Sequence, residues 1–154
     1  METATQTVDK KRTRAEVLRD RVQIRLALNE AGPLIAEVLK ENGIELPGAD
    51  WSKVFPHWLI ACDGDKVIGC LQVMPAKPVG WCECLYVKPS APFKIRALAI
   101  RKLIIHGMAT CSIAGCSFVA GMVDVKNRKF EEVLKKVNFV RAPDHMMMVK
   151  RLVG

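Results

Sequence analysis

Glu83 is the only charged residue in the apolar run 81–87 (WCECLYV), flanked by Cys82 and Cys84 and followed three positions later by Tyr86, the one tyrosine of the chain. An apolar strand can hold a carboxylate in two ways. At an edge the group faces solvent; in a cleft it can take up a proton from a reacting group. Tyr86 is a candidate proton donor, and the pleat of the strand decides whether it points with Glu83 or away from it. Cys82 and Cys84, two residues apart, fall on one face of a regular strand. With no Cys-x-x-Cys and no histidine beside them they read as buried thiols rather than metal ligands. His57, His106 and His145 are scattered over a strand start, a helix and a turn and form no local ligand set.

The elements that must position these groups follow from periodicity. Residues 127–139 (NRKFEEVLKKVNF) place Phe130, Val133, Leu134 and Val137 at i, i+3, i+4 and i+7, one face of a helix that Asn127 can cap. A terminal hairpin follows in 140–152, where Met146, Met147 and Met148 read as alternating core and cover. Residues 33–42 predict a helix with Leu34, Ile35, Val38 and Leu39 on one face, started by Pro33 and stopped by Gly43. Strands are expected over 58–61 and 66–74, joined by Asp63-Gly64-Asp65, with a second hairpin through 75–80 leading into 81–87. A long apolar helix over 93–108 then leads to a buried strand over 116–123, which makes the two flanking strands parallel neighbours through a right-handed crossover. Residues 21–28 alternate as a strand does, although a helix continuing from 15 fits nearly as well. Residues 1–14 read as a basic tail carrying Lys10, Lys11, Arg12 and Arg14, ahead of a single domain over 15–154.

At 154 residues and 50% hydrophobic content the chain suits one domain with a single core sheet. No apolar run approaches the ~20 residues of a membrane span. Six cysteines set mostly among apolar residues are the pattern of reduced thiols in an intracellular, cytoplasmic setting. A net charge of +8 favours an acidic partner and leaves self-association open. A nucleic-acid reading rests on charge and the basic tail alone, without aromatic interleaving.

The C-terminal layout resembles the signature of the GNAT superfamily of acyl-CoA-dependent N-acyltransferases: an Asn, a helix bearing Tyr-x-x-x-Gly-Phe, then a strand with Met-x-(Lys/Arg). Asn127 and Phe139 match; Leu134 stands at the tyrosine position and Asn138 at the glycine. The resemblance covers about 57–152, and small size also resembles phage-encoded relatives. It implies an α+β fold, a twisted, mixed, mostly antiparallel sheet with helices on both faces, in which strands 81–87 and 116–123 splay to admit a pantetheine arm. It further implies acetyl-CoA as donor, an amine-bearing small molecule or protein as acceptor, and pantetheine pairing with the backbone of Leu85, Tyr86 and Val87. Asn127 belongs to the same implied cofactor site. The family holds pyrophosphate on a glycine-rich loop, whereas 88–98 contains no glycine. Lys94, Ile95 and Arg96, at the start of the following helix, would supply charge and N–H groups instead. On this resemblance Glu83 takes the place of the catalytic base, and Tyr86 substitutes for the missing helix tyrosine as acid. Phe93 and Ile95 could also fill the cleft, in keeping with the alternative of a catalytically inactive GNAT fold that serves as a binding or structural component, such as part of a phage assembly.

Overall fold

The computed structural model describes residues 13–45, 50, 57–123, 127–141 and 147–151. Lys10, Lys11, Arg12, His145 and Met146 lie outside them. Thr13 and Arg14, read from sequence as tail, instead open helix α1 (Arg14–Arg21). A capping box does this: Thr13 Oγ1 accepts from the Glu16 N–H at 3.3 Å while Glu16 Oε2 accepts from the Thr13 N–H at 2.7 Å. The segment whose period fits helix and strand almost equally divides between them, α1 giving way directly to β1 (Val22–Leu26). Lys102 Nζ donates to the carbonyls of Arg19 and Val22, at 2.6 Å each, at that junction.

A 3-10 turn (Asn29–Ala31) leads into α2 (Gly32–Glu41). Its buried stripe is Ile35, Val38 and Leu39; Leu34, expected on that face, is 43% exposed. At about 100° per residue it stands roughly 90° from the stripe's centre, at the rim. Strands β2 (Trp58–Asp63) and β3 (Lys66–Ala76) form a hairpin, and the one to β4 (Val79–Val87) is tighter than expected because only Lys77 and Pro78 separate the strands. Helix α3 (Phe93–Ile113) runs five residues beyond its expected end, and β5 (Phe118–Met122) follows. Then come α4 (Arg128–Lys135), β6 (Val140–Arg141) and β7 (Met147–Arg151).

The strands form one sheet in the order β1-β2-β3-β4-β5-β7-β6, antiparallel except for the β4/β5 pair. Alternation along β2 supplies both faces. Trp58, Ile60 and Cys62 pack with Ile35, Val38 and Leu39 of α2, while Leu59 and Ala61 pack with Ala99 and Leu103 of α3. The α+β sheet with helices on both faces is therefore the fold the sequence leads one to expect. No helix among the described residues is long and apolar enough to cross a membrane.

Asn138 explains how the glycine position of the C-terminal signature is filled without glycine. Its φ is 65°, and the chain around it closes α4 by two bonds, Phe139 N–H to Leu134 C=O at 3.1 Å and Asn138 N–H to Lys135 C=O at 3.0 Å. That is a Schellman closure, and asparagine is the non-glycine residue best suited to its left-handed position. Leu134 and Phe139, brought together by it, are both 6% exposed in the α3-side core. Asn138→Val should lower stability by about 1–2 kcal/mol, the cost of a left-handed residue with a branched Cβ, whereas Asn138→Gly should leave it unchanged or raise it; urea unfolding midpoints read the difference.

Candidate active site

β4 and β5 pair at only three positions, Val79 with Phe118, Gly80 with Val119 and Trp81 with Ala120. Beyond Trp81 they part, as β5 continues alongside β7 through Gly121 and Met122. The splay leaves a cavity of about 350 Å³. Residues 82–86 of β4 form one wall, Gly121, Met122 and Val123 the other, and Ile104 and Met108 of α3 with Phe130 and Leu134 of α4 close it. Open crevices at the carboxyl ends of parallel strands are where α/β proteins commonly take ligands.

Five successive residues of one strand can line one cavity because β4 is not regular there. Gln72 pairs with Glu83 and Cys70 with Tyr86, so the single residue Leu71 on β3 faces two, Cys84 and Leu85, on β4. Cys84 adopts φ 52°. A left-handed cysteine costs on the order of 1–3 kcal/mol and is held by the regular ladders on both sides. This bulge changes the parity of the strand. Cys82 and Cys84, expected on one face, lie on opposite ones, Cys82 against the α3-side core and Cys84 against the α2-side core. Conversely Glu83 and Tyr86, an odd number of residues apart, share a face, because their partners Gln72 and Cys70 are two apart on β3.

The Glu83 carboxylate is neither hydrogen-bonded nor ion-paired to any described residue, so its lone pairs remain available. Burial first, and then the Cys84 and Cys70 sulfurs, push the Tyr86 phenol above its ordinary value. It therefore keeps its proton throughout the neutral range and can donate it. Leu85 and Asn127 also line the cavity; Asn127 caps α4, its Oδ1 accepting from the Phe130 N–H at 3.2 Å. Val87 does not line it, and its carbonyl accepts from Asn42 Nδ2 at 3.3 Å.

The second half of the site is the start of α3. Pro92 is its N-cap and offers no side-chain cap, so the N–H groups of Phe93, Lys94 and Ile95 have no intrahelical acceptor. Lys94 is exposed and Ile95 is core, so Ile95 offers only its backbone. Arg96 Nε is the one side-chain nitrogen or oxygen among the described residues that is buried without a hydrogen-bond partner. Free N–H groups at the positive end of a long helix are where anions are commonly bound. Phe93, 74% exposed, and Ile95, 2% exposed in the core, leave the cleft unfilled, contrary to the expectation that they could occupy it. From Arg96 to Ile104 the helix rises about 12 Å.

A glycine-free loop reaches this position because side chains of α2 and its end pin it. Lys88 Nζ bridges Glu37 Oε1 at 3.0 Å and Glu41 Oε1 at 3.4 Å, and Ser90 Oγ donates to Glu41 Oε2 at 2.7 Å. Neither this clamp nor the bulge is visible in sequence, since each joins residues far apart or depends on strand register. His57 and His106 lie outside the cavity lining, and no described group of three or more His, Cys, Asp or Glu side chains is arranged to hold a metal ion.

No protein-family model and no curated protein sequence matches the chain. Solved structures do. Ard1 from Thermoplasma volcanium superposes with a TM-score of 0.69 at 11% identity, over 87% of this chain and 99% of that one. The PaiA N-acetyltransferase from Thermoplasma acidophilum, solved with coenzyme A, gives 0.67 at 16%, over 85% and 99%. N-acetylglutamate synthase from Neisseria gonorrhoeae, solved with coenzyme A and L-arginine, gives 0.68 at 19%, over 85% of this chain but only 33% of the synthase. The fold is that of the GNAT N-acetyltransferases.

The Ser90 hydroxyl first, and then Lys88, hold the Glu41 carboxyl below its usual range despite partial desolvation. A depressed folded pKa means the clamp is intact above the ordinary carboxylate pKa and is lost as pH falls through the lower, folded value. Glu41→Gln should speed amide exchange across 88–92 at neutral pH. The native chain should approach the variant's rate only below about pH 4, after correction for intrinsic exchange.

Proposed function

We propose that the chain is an acyl-CoA-dependent N-acyltransferase that uses acetyl-CoA and an amine-bearing acceptor. The observation that carries this reading is the combination of a largely apolar slot between splayed strands and an uncapped helix start bearing an orphaned buried Arg96 Nε. An elongated ligand with phosphates at one end and an apolar arm fits both halves, and the +8 charge suits a polyanion. Arg96, Lys94 and the first N–H groups of α3 would hold the phosphates. The backbone of Leu85 and Tyr86, on the β4 edge that β5 leaves unpaired, would pair with the arm's amides, while Asn127 flanks the cavity.

Acetyl-CoA, when bound, supplies an acetyl group activated as a thioester. Leu71, Ile104, Met108 and Phe130 line the cavity with apolar surface. Glu83 takes the proton of the acceptor ammonium, through a water, leaving the amine lone pair free to attack. Tyr86, kept protonated by its surroundings and on the same face, donates to the departing sulfur. Neighbouring folds span the acceptor classes: a diaminobutyrate acetyltransferase from Paenibacillus lautus was solved with its diamino acid, and the NatC complex with a peptide. An amine on either a small molecule or a protein is therefore consistent with this site.

Leu134 favours a second reading, a GNAT-fold binding or structural protein without acyl transfer. It stands at the position of the family's usual acid, is 6% exposed, and cannot donate a proton. Calorimetric titration with acetyl-CoA and coenzyme A separates the two. Micromolar binding that survives moderate salt supports the transferase, and absence of binding leaves the second reading. In the transferase, Glu83→Gln should cut turnover by about 10²–10⁴-fold with little change in acetyl-CoA affinity; unchanged turnover would remove Glu83 as base. Because the Tyr86 pKa is raised, the alkaline limb of kcat should lie above about pH 10 and disappear in Tyr86→Phe, whose residual rate should be low throughout.

A further inference from the structure

Three thiols that acyl transfer leaves unused meet where α3 crosses β4. On β4, Gly80 and Cys82 are two residues apart on one face; on α3, Gly107 and Cys111 are about one turn apart on the face packed against it. The four positions interlock. A Cβ on Gly80 would overlap Cys111 Sγ, and one on Gly107 would lie 3.2 Å from Cys82 Sγ. Each thiol thus fills the notch left by the other element's glycine, which sets the Cys82 and Cys111 side chains diagonally across the crossing of β4 and α3.

Cys116 Sγ lies by the same notch, 3.5 Å from the position a Gly80 Cβ would take. Gly115, at φ 80°, ends α3 in a Schellman closure, with the Cys116 N–H on Cys111 C=O at 3.0 Å and the Gly115 N–H on Ser112 C=O at 2.9 Å. That closure brings together two side chains that are usually apolar, and both here are cysteines. The neighbouring Cys82 thiol, and after it Cys116, lower the Cys111 thiol's pKa, while Cys111, with burial, raises that of Cys82. Of the three, only Cys82 lines the cleft; Cys111 is fully buried and Cys116 is 5% exposed.

We propose that Cys82 and Cys111 form an oxidative modification site, a dithiol that hydroperoxides entering the cleft convert to a disulfide joining β4 to α3. Cys82 releases its proton to solvent and its sulfur attacks one peroxide oxygen; the O–O bond breaks, Cys82 becomes a sulfenic acid, and the departing hydroxide takes up that proton as the first water. Cys111 sulfur then attacks Cys82 sulfur, the S–O bond breaks, and the departing oxygen leaves as water with the Cys111 proton. With hydrogen peroxide the sum is two thiols and one peroxide giving one disulfide and two waters. The bond would form on the cavity wall one residue before Glu83, and small thiols would reverse it by exchange.

The test is non-reducing peptide mapping by mass spectrometry of the reduced full chain after treatment with hydrogen peroxide. The expected product is a Cys82–Cys111 cross-link, lost on adding dithiothreitol, and still formed in Cys116→Ser. In Cys111→Ser the link should vanish and Cys82 should be trapped by dimedone as its sulfenic acid. A map dominated by Cys111–Cys116, or one in which Cys82 remains a thiol, would overturn the proposal. Neither outcome depends on acetyl-CoA binding, so this result and that of the proposed function stand apart.

Discussion

Everything at the candidate site depends on β4 and β5 ceasing to pair after three residues. Parallel neighbours joined by a helix would ordinarily zip along their length, since unpaired backbone groups inside a protein are costly. Here β5 continues beside β7, and β4 spends its next residues in a bulge. The edge of β4 beyond Trp81 is left without a strand partner and lines a cavity whose other walls are apolar. Such an edge is complementary to a ligand that is itself extended and carries amides.

The bulge at Cys84 has a second consequence. A regular strand would set Glu83 and Tyr86 on opposite faces. One additional residue on β4 restores them to one side, at the cost of a left-handed cysteine. Tyr86 thereby lines the cavity on the face that carries Glu83, with Leu134 of the C-terminal helix also in the lining. The same shift separates Cys82 from Cys84 and sends Cys82 towards α3, where it meets Cys111.

The loop before α3 shows a comparable exchange of means. Glycines let a loop approach phosphates by removing side chains. In this chain Glu37, Glu41 and Asn42, at the end of α2, instead hold Val87, Lys88 and Ser90 in place, and the start of α3 is presented uncapped. Charge from Lys94 and Arg96 then adds to what backbone N–H groups provide. These contacts link residues about fifty positions apart and are stronger determinants of the loop than its own composition.

Periodicity alone determined a good deal: the α+β order of elements, the parallel crossover through α3, the cap at Asn127 and the buried stripe of α2, because each depends on neighbours within one or two turns. The left-handed turn at Asn138 is also local in origin, for the residue's own short polar side chain tolerates that region. Where α1 ends and β1 begins was not legible, since both periods fit the same residues and only the pairing of Val22 with Asp63 chooses between them. The shared face of Glu83 and Tyr86, the opposite faces of Cys82 and Cys84, the clamp on Lys88 and Ser90, and the meeting of Cys82 with Cys111 were decided by tertiary structure. A bulge is a mismatch between two strands and a thiol contact is a crossing of two elements, so neither exists until the partners are in place.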